Sequence, residues 1–181
     1  MDRPRQLDCY PGFSDVMNSC IYSGLQWLMR SGIQEVSGGV SGLSDTNTAS
    51  YSSISTIATS SFVSGLLQNS EINPEVAVEC AFGGGRFLLD HAFDSDTGLF
   101  LHAVVEGGSP APLTYLFDST SGIRALIDLW KVTQEPAYVE QAERSGIAVK
   151  ETFARMDGSF FAAFDLVKKT PSELTEPWWS H

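Results

Sequence analysis

The sequence predicts an all-α fold of repeated antiparallel helical hairpins, each unit about 60 residues long, with short β-hairpins in its long loops. Two observations carry this. One helix recurs: adding 60 to residues 16–29 places Val16 on Val76, Cys20 on Cys80, Tyr22 on Phe82, Gly24 on Gly84, Trp27 on Phe87 and Leu28 on Leu88. A further step of 62 places Cys80 on Ala142, Gly84 on Gly146 and Phe87 on Val149. The connections also alternate. Turns of a few residues near 70–73 and 133–135 separate long segments at 31–54, 92–117 and 156–181. That is the layout of two helices joined tightly and then returned by a long loop.

Five helices are predicted. The first spans about 14–30, opened by Ser14 as cap and Asp15 as first-turn acid. The second spans about 55–69, with Ile57, Ala58, Phe62, Leu66 and Leu67 at helical spacing. The third begins at Asn73-Pro74, a cap followed by proline at the first helical position, and runs to His91, where a cation suits the helix dipole. The fourth spans about 118–133, with the apolar stripe Ile123, Leu126, Ile127 and Trp130, and the fifth runs from Glu135-Pro136 to Arg155. The second and fourth correspond to each other: Leu66-Leu67 lies 63 residues before Leu129-Trp130. Glycine inside a helix costs about 1 kcal/mol relative to alanine. Its recurrence at Gly24, Gly84 and Gly146 therefore predicts close approach between neighbouring helices, the alternative being a kinked third helix at Gly83–Gly85.

The long loops keep the same step, with Gly38, Gly98 and Gly158 at one position. Residues 98–105 and 159–167 are apolar and aromatic enough to form small strands. All three long connections follow odd-numbered helices, so they gather at one end, which is the candidate working face. The organisation expected is an N-terminal tail at 1–13, the repeat domain at 14–168 and an extended tail at 169–181.

Composition narrows the partners. The chain has 181 residues, 43% hydrophobic and 18% charged, which describes a globular protein. Its 11 basic against 22 acidic residues give net −11, which argues against nucleic acid and against an anionic membrane surface. No basic stretch followed by an apolar run opens the sequence, and no segment approaches the roughly 20 apolar residues of a membrane span, so a cytoplasmic location is expected. Cys9, Cys20 and Cys80 form no metal-ligand spacing and read as buried thiols in a reducing compartment. No metal and no cofactor are expected. Asp94-Ser95-Asp96-Thr97-Gly98 begins like a calcium loop but has Val105 where the bidentate glutamate belongs, so it reads as a turn. Phosphate-binding and dinucleotide fingerprints are absent, as is a nucleophile elbow.

The segment 109–119, leading into 122–144 with its turn Thr133-Gln134-Glu135-Pro136-Ala137-Tyr138, resembles the (α/α)6 toroids. These include the N-acylglucosamine 2-epimerase-like and six-hairpin glycosidase-like proteins. The resemblance implies alternating inner and outer helices, with inner-helix N-termini and long loops lining a sugar-binding funnel. It places Glu106, Asp118 and His102 as candidate catalytic groups, and Asp45, Tyr115, Arg124, Trp178 and Trp179 as candidate sugar contacts. Glu106 and Asp118 are the carboxylate couple that acid–base chemistry on a glycoside needs, while Asp118 is also placed to cap the fourth helix. His102 is the loop histidine suited to proton transfer; a two-histidine epimerase scheme lacks its second member. Trp178-Trp179 equally suits an apolar plug on a neighbouring hairpin. The helix at 55–62 carries no ionisable group, which weighs against intact catalysis. Twelve helices close a toroid and five are predicted here, so the resemblance implies an N-terminal half with open helix edges that favour self-association. A helical solenoid, acting as a non-catalytic protein-interaction module, is the alternative.

Overall fold

The computed structural model describes residues 39, 53–68, 74–105 and 113–172, the side chains of 74–76 excepted. In chain order the elements are β1 Ser53–Ser55, α1 Thr56–Gln68, α2 Pro74–Phe87, a π-helical turn Leu88–Ala92, β2 Phe93–Asp94, β3 Leu99–Phe100, β4 Ala103–Val105, β5 Leu113–Tyr115, α3 Leu116–Thr133, α4 Pro136–Phe153, β6 Ala163–Asp165 and β7 Thr170–Ser172. These four helices are the second to fifth of the sequence reading, with ends within about two residues of the expected ones, the third helix finishing in the π turn. The expected first helix, with Gly24, lies outside the described residues, as do Gly38, Cys9 and Cys20.

α1 packs against α2 and α3, and α3 against α4, so two hairpins stand side by side with α1 and α3 in contact. The tight turn between α3 and α4 has a local cause. Gln134 ends α3 in the left-handed conformation (φ 58°), its N–H donating to Trp130 O, while its side-chain amide covers the carbonyls of Trp130 and Lys131. Pro136 then starts α4.

The repeat extends into strand register. β1 pairs antiparallel with β4, setting Ser53 opposite Val105 and Ser55 opposite Ala103. β5 pairs in the same way with β6, setting Leu113 opposite Asp165 and Tyr115 opposite Ala163, each 60 residues on. The backbone bond from Thr56 N–H to His102 O recurs as Leu116 N–H to Ala162 O. Thus the strand before each helical hairpin is paired by the loop that leaves it. Gly98 and Gly158 both hold positive φ, 77° and 85°, a conformation that glycine adopts without steric cost. The turn Asp94–Gly98 is closed by the Asp94 carboxylate, which accepts from Asp96 N–H, Thr97 N–H and Thr97 Oγ1–H. The expected strands are therefore present but shorter.

Leu99, Val149, Phe153 and Phe164 form a core cluster that ties the loops to α4, with Leu116, Ile123 and Phe161 packed around it. Close approach occurs at glycines other than the recurrent ones. A Cβ on Gly122 would lie 2.8 Å from the Phe100 ring, and one on Gly85 would lie 2.6 Å from Leu129 Cδ1. A Cβ on Gly146 would meet nothing within 4 Å, so the approach expected there is corrected: that face of α4 is open. Gly146→Ala should accordingly stabilise the fold by up to about 1 kcal/mol. Gly122→Ala should destabilise it, because about 1–3 kcal/mol of overpacking outweighs the helix-propensity gain. Urea melts of the two variants check both signs.

Candidate functional site

The site grows from a strap at residues 99–102, held at nearly every backbone polar group. Phe100 N–H donates to Ser119 Oγ at 3.1 Å, and the Phe100 carbonyl accepts from the Thr114 hydroxyl. Leu101 N–H donates to Ala92 O at 2.8 Å, and its carbonyl accepts from Thr56 Oγ1 at 2.5 Å. The His102 carbonyl accepts from Thr56 N–H. Thr56 opens α1, whereas Thr114 and Ser119 flank the start of α3. The strap thus bridges the N-termini of both helices, and all three hydroxyl-bearing residues are buried. Nothing in the sequence pattern singled them out.

This fixed backbone delivers His102 to α3. Its Nδ1 lies 3.1 Å from Asp118 Oδ1 and 3.2 Å from Oδ2. Asp118 is completely buried, and its Oδ2 also accepts the Tyr115 N–H at 2.9 Å. Asp118 sits in the first turn of α3, capping it from within rather than preceding it. The Tyr115 ring stands edge-on to the imidazole, centroids 4.8 Å apart. The His102 side chain keeps 43% of its surface exposed, and its Nε2 has no hydrogen-bond partner among the described residues.

Neither member of the pair recurs in the repeat: the positions equivalent by 60 residues are Ala162 for His102 and Ala58 for Asp118. The hydrogen bond to Asp118 holds the imidazole above its ordinary value of 6.5, with the carboxylate charge adding to this and partial burial opposing it. A histidine raised on folding stabilises the fold fully below its unfolded pKa, and that contribution fades as pH rises through the folded pKa. Stability should therefore decline above about pH 6.5 in a manner that Asp118→Asn abolishes. Thermal melts across pH 5–9, with NMR titration of the His102 ring, test this.

A cleft of about 430 Å3, lined on one side by the same helix that carries Asp118, runs between α1 and α3. Ser60, Ser61, Ser64, Gly65 and Gln68 form one wall at i, i+4, i+8 spacing, and Phe117, Thr120, Ser121 and Arg124 form the other at i, i+3, i+4, i+7. Ser60 and Ser64 are buried with no partner for their hydroxyls. Phe117 is 62% exposed. Arg124 reaches toward Asp128, Nε to Oδ2 3.9 Å, and its side chain is 67% exposed. The α1 segment without ionisable groups is thus a wall of hydroxyls.

Of the expected site residues, the structure brings His102, Asp118 and Tyr115 into contact and puts Arg124 on the cleft of the same helix. Asp118 has no surface to offer a ligand, so its geometry is that of a group positioning His102. Glu106, Asp45, Trp178 and Trp179 lie outside the described residues. His91 stacks obliquely on Phe87 at the π turn. Cys80 is half-buried, and burial pushes its thiol up. Among the described residues, no group of three His, Cys, Asp or Glu could hold a metal, and no helix is long and apolar enough to cross a membrane.

No family model matches the chain, and no curated protein matches it in sequence. Solved structures do match. Cellobiose 2-epimerase from Spirochaeta thermophila superposes with a TM-score of 0.69 at 20% identity, over 92% of this chain and 44% of its own. A D-mannose isomerase gives 0.71 at 15% identity, covering 92% and 45%. A GH76 α-mannanase from Bacteroides thetaiotaomicron gives 0.65 at 15% identity, covering 78% and 40%. The chain spans less than half the length of each of these structures. The chain has the fold of a partial (α/α)6 toroid, the toroid being the fold of this cellobiose 2-epimerase, D-mannose isomerase and mannanase.

Proposed function

We propose that the chain binds a sugar or glycan on its long-loop face, with His102 as the proton-transfer group. The observation that carries this is the His102–Asp118 pair: a buried carboxylate fixes the ring through Nδ1 and directs the open nitrogen away from it. In the neutral ring Nδ1–H donates to Asp118, which leaves the Nε2 lone pair as a base. That base would take the proton next to the carbonyl of an open-chain sugar, giving an enediolate, and return it to the neighbouring carbon, or to the opposite face of the same carbon after the enediolate has rotated in the site. Epimerisation and isomerisation share this step. A glycosidase reading needs two carboxylates facing the sugar, and Asp118 is enclosed. Exposed Phe117 supplies an aromatic face for the apolar side of a pyranose.

Incubation with mannose, glucose and cellobiose in D2O, followed by NMR at the sugar C2–H, tests the reading. Exchange in the native chain and none in His102→Ala is the expected result. Perturbation of the His102 ring by sugar without exchange would reduce the function to binding. Absence of both, with a mass in solution that rises with concentration, would overturn the reading in favour of a protein-interaction module.

A further inference from the structure

We propose that the cleft between α1 and α3 is an oxyanion site, and that the sugar taken by this face carries a phosphoryl or carboxylate group. The clause about sugar rests on the reading above; the oxyanion site rests on the cleft alone. Its described lining contains one charged residue, Arg124, and no carboxylate, in a chain with eleven excess acids. The remaining polar lining is hydroxyl or amide, from Ser60, Ser61, Ser64, Gln68, Thr120 and Ser121.

Arg124 engages Asp128 through Nε at a distance too long for a hydrogen bond, while Lys131 Nζ sits 3.1 Å from Asp128 Oδ1 and offsets that carboxylate. The two terminal nitrogens of Arg124 have no hydrogen-bond partner among the described residues. This fork is suited to a bidentate phosphate or carboxylate. On the opposite wall, Ser60 and Ser64 are 1% and 7% exposed with unpartnered hydroxyls. Buried hydroxyls without partners are uncommon, and a χ1 rotation would turn each toward an acceptor in the cleft. The lining thus offers donors from both walls. Arg124 lies six residues beyond Asp118 on the same helix, an axial rise of about 9 Å and a turn of about 120° around the axis, so the proposed sugar would reach from the cleft around the N-terminal end of α3 toward His102.

The test is calorimetric titration of the full chain with inorganic phosphate, glucose 6-phosphate, glucuronate and glucose. The expected result is that at least one anionic sugar binds tenfold or more tightly than glucose. Arg124→Gln should collapse that difference, and Ser60→Ala should weaken phosphate binding about threefold. Arg124 is exposed, so melting of Arg124→Gln at the native temperature keeps the comparison valid. Phosphate bound through Arg124, with no contribution from the sugar ring, would retain the oxyanion site and overturn the sugar assignment. Equal binding of anionic and neutral sugars, or anion binding unaffected by Arg124→Gln, or no phosphate binding, would overturn the site itself.

Discussion

Asp118→Ala should lower stability by about 2–4 kcal/mol, between the cost of an orphaned buried donor and that of a broken buried ion pair. One substitution removes two partners: the Tyr115 N–H loses its acceptor at the start of α3, and the imidazole loses both of its contacts. For a domain of this size the fall in Tm should be roughly 5–15 °C. Asp118→Asn separates the two effects. Its amide oxygen can still accept the Tyr115 N–H, so most of the stability should survive, whereas the His102 pKa should drop once the negative charge is gone. If Asp118→Ala melts with the native chain, Asp118 is not the keystone of the junction. A His102 titration identical in Asp118→Asn and the native chain would dissociate the pair from the raised pKa.

Phe100→Ala should be at least as damaging, by about 3–5 kcal/mol. The ring is fully buried, meets Phe93 edge-on with centroids 5.5 Å apart, and fills the space left by the missing side chain of Gly122. Because α3 has no Cβ there, it cannot fill the void from its own side. The loss should be felt beyond stability, since Phe100 is two residues from His102 and shares its strap. Amide exchange at Leu101 and His102 should accelerate together with the fall in the denaturation midpoint. A cost below 1 kcal/mol would mean that the hydroxyl clamps alone hold the strap.

Much of the architecture was legible because repetition converts weak local signals into a strong periodic one. The helices around Phe62, Phe87, Leu126 and Val149 could be placed by their apolar stripes and by proline and glycine punctuation. Glycine was less informative: the recurrent Gly146 faces empty space, while the non-recurrent Gly85 and Gly122 carry the close contacts. The Glu106 expected beside Asp118 lies outside the described residues. His102 and Asp118 could each be named from the sequence, but the contact between them, across sixteen residues, could not. That contact depends on the β1–β4 register and on the hydroxyl clamps of Thr56, Thr114 and Ser119, which are long-range facts. The serines of α1 read as absent chemistry until the structure set them across a cleft from Arg124.

The π turn at Leu88–Ala92 explains an irregularity in the spacing. Eighteen residues separate Cys80 from Gly98, but sixteen separate Ala142 from Gly158, although both glycines occupy the same turn. Each residue added to an α-helix rotates its exit by about 100°. Uncompensated extra residues in α2 would therefore swing the following strap around the helix axis. A π turn takes up surplus residues within a locally wider coil, and Ala92 emerges with its carbonyl still on the Leu101 N–H. The azimuth at which His102 meets Asp118 is thus set in part by residue phasing in the preceding helix, so insertions and deletions there would re-aim the imidazole without changing the identity of any group around it.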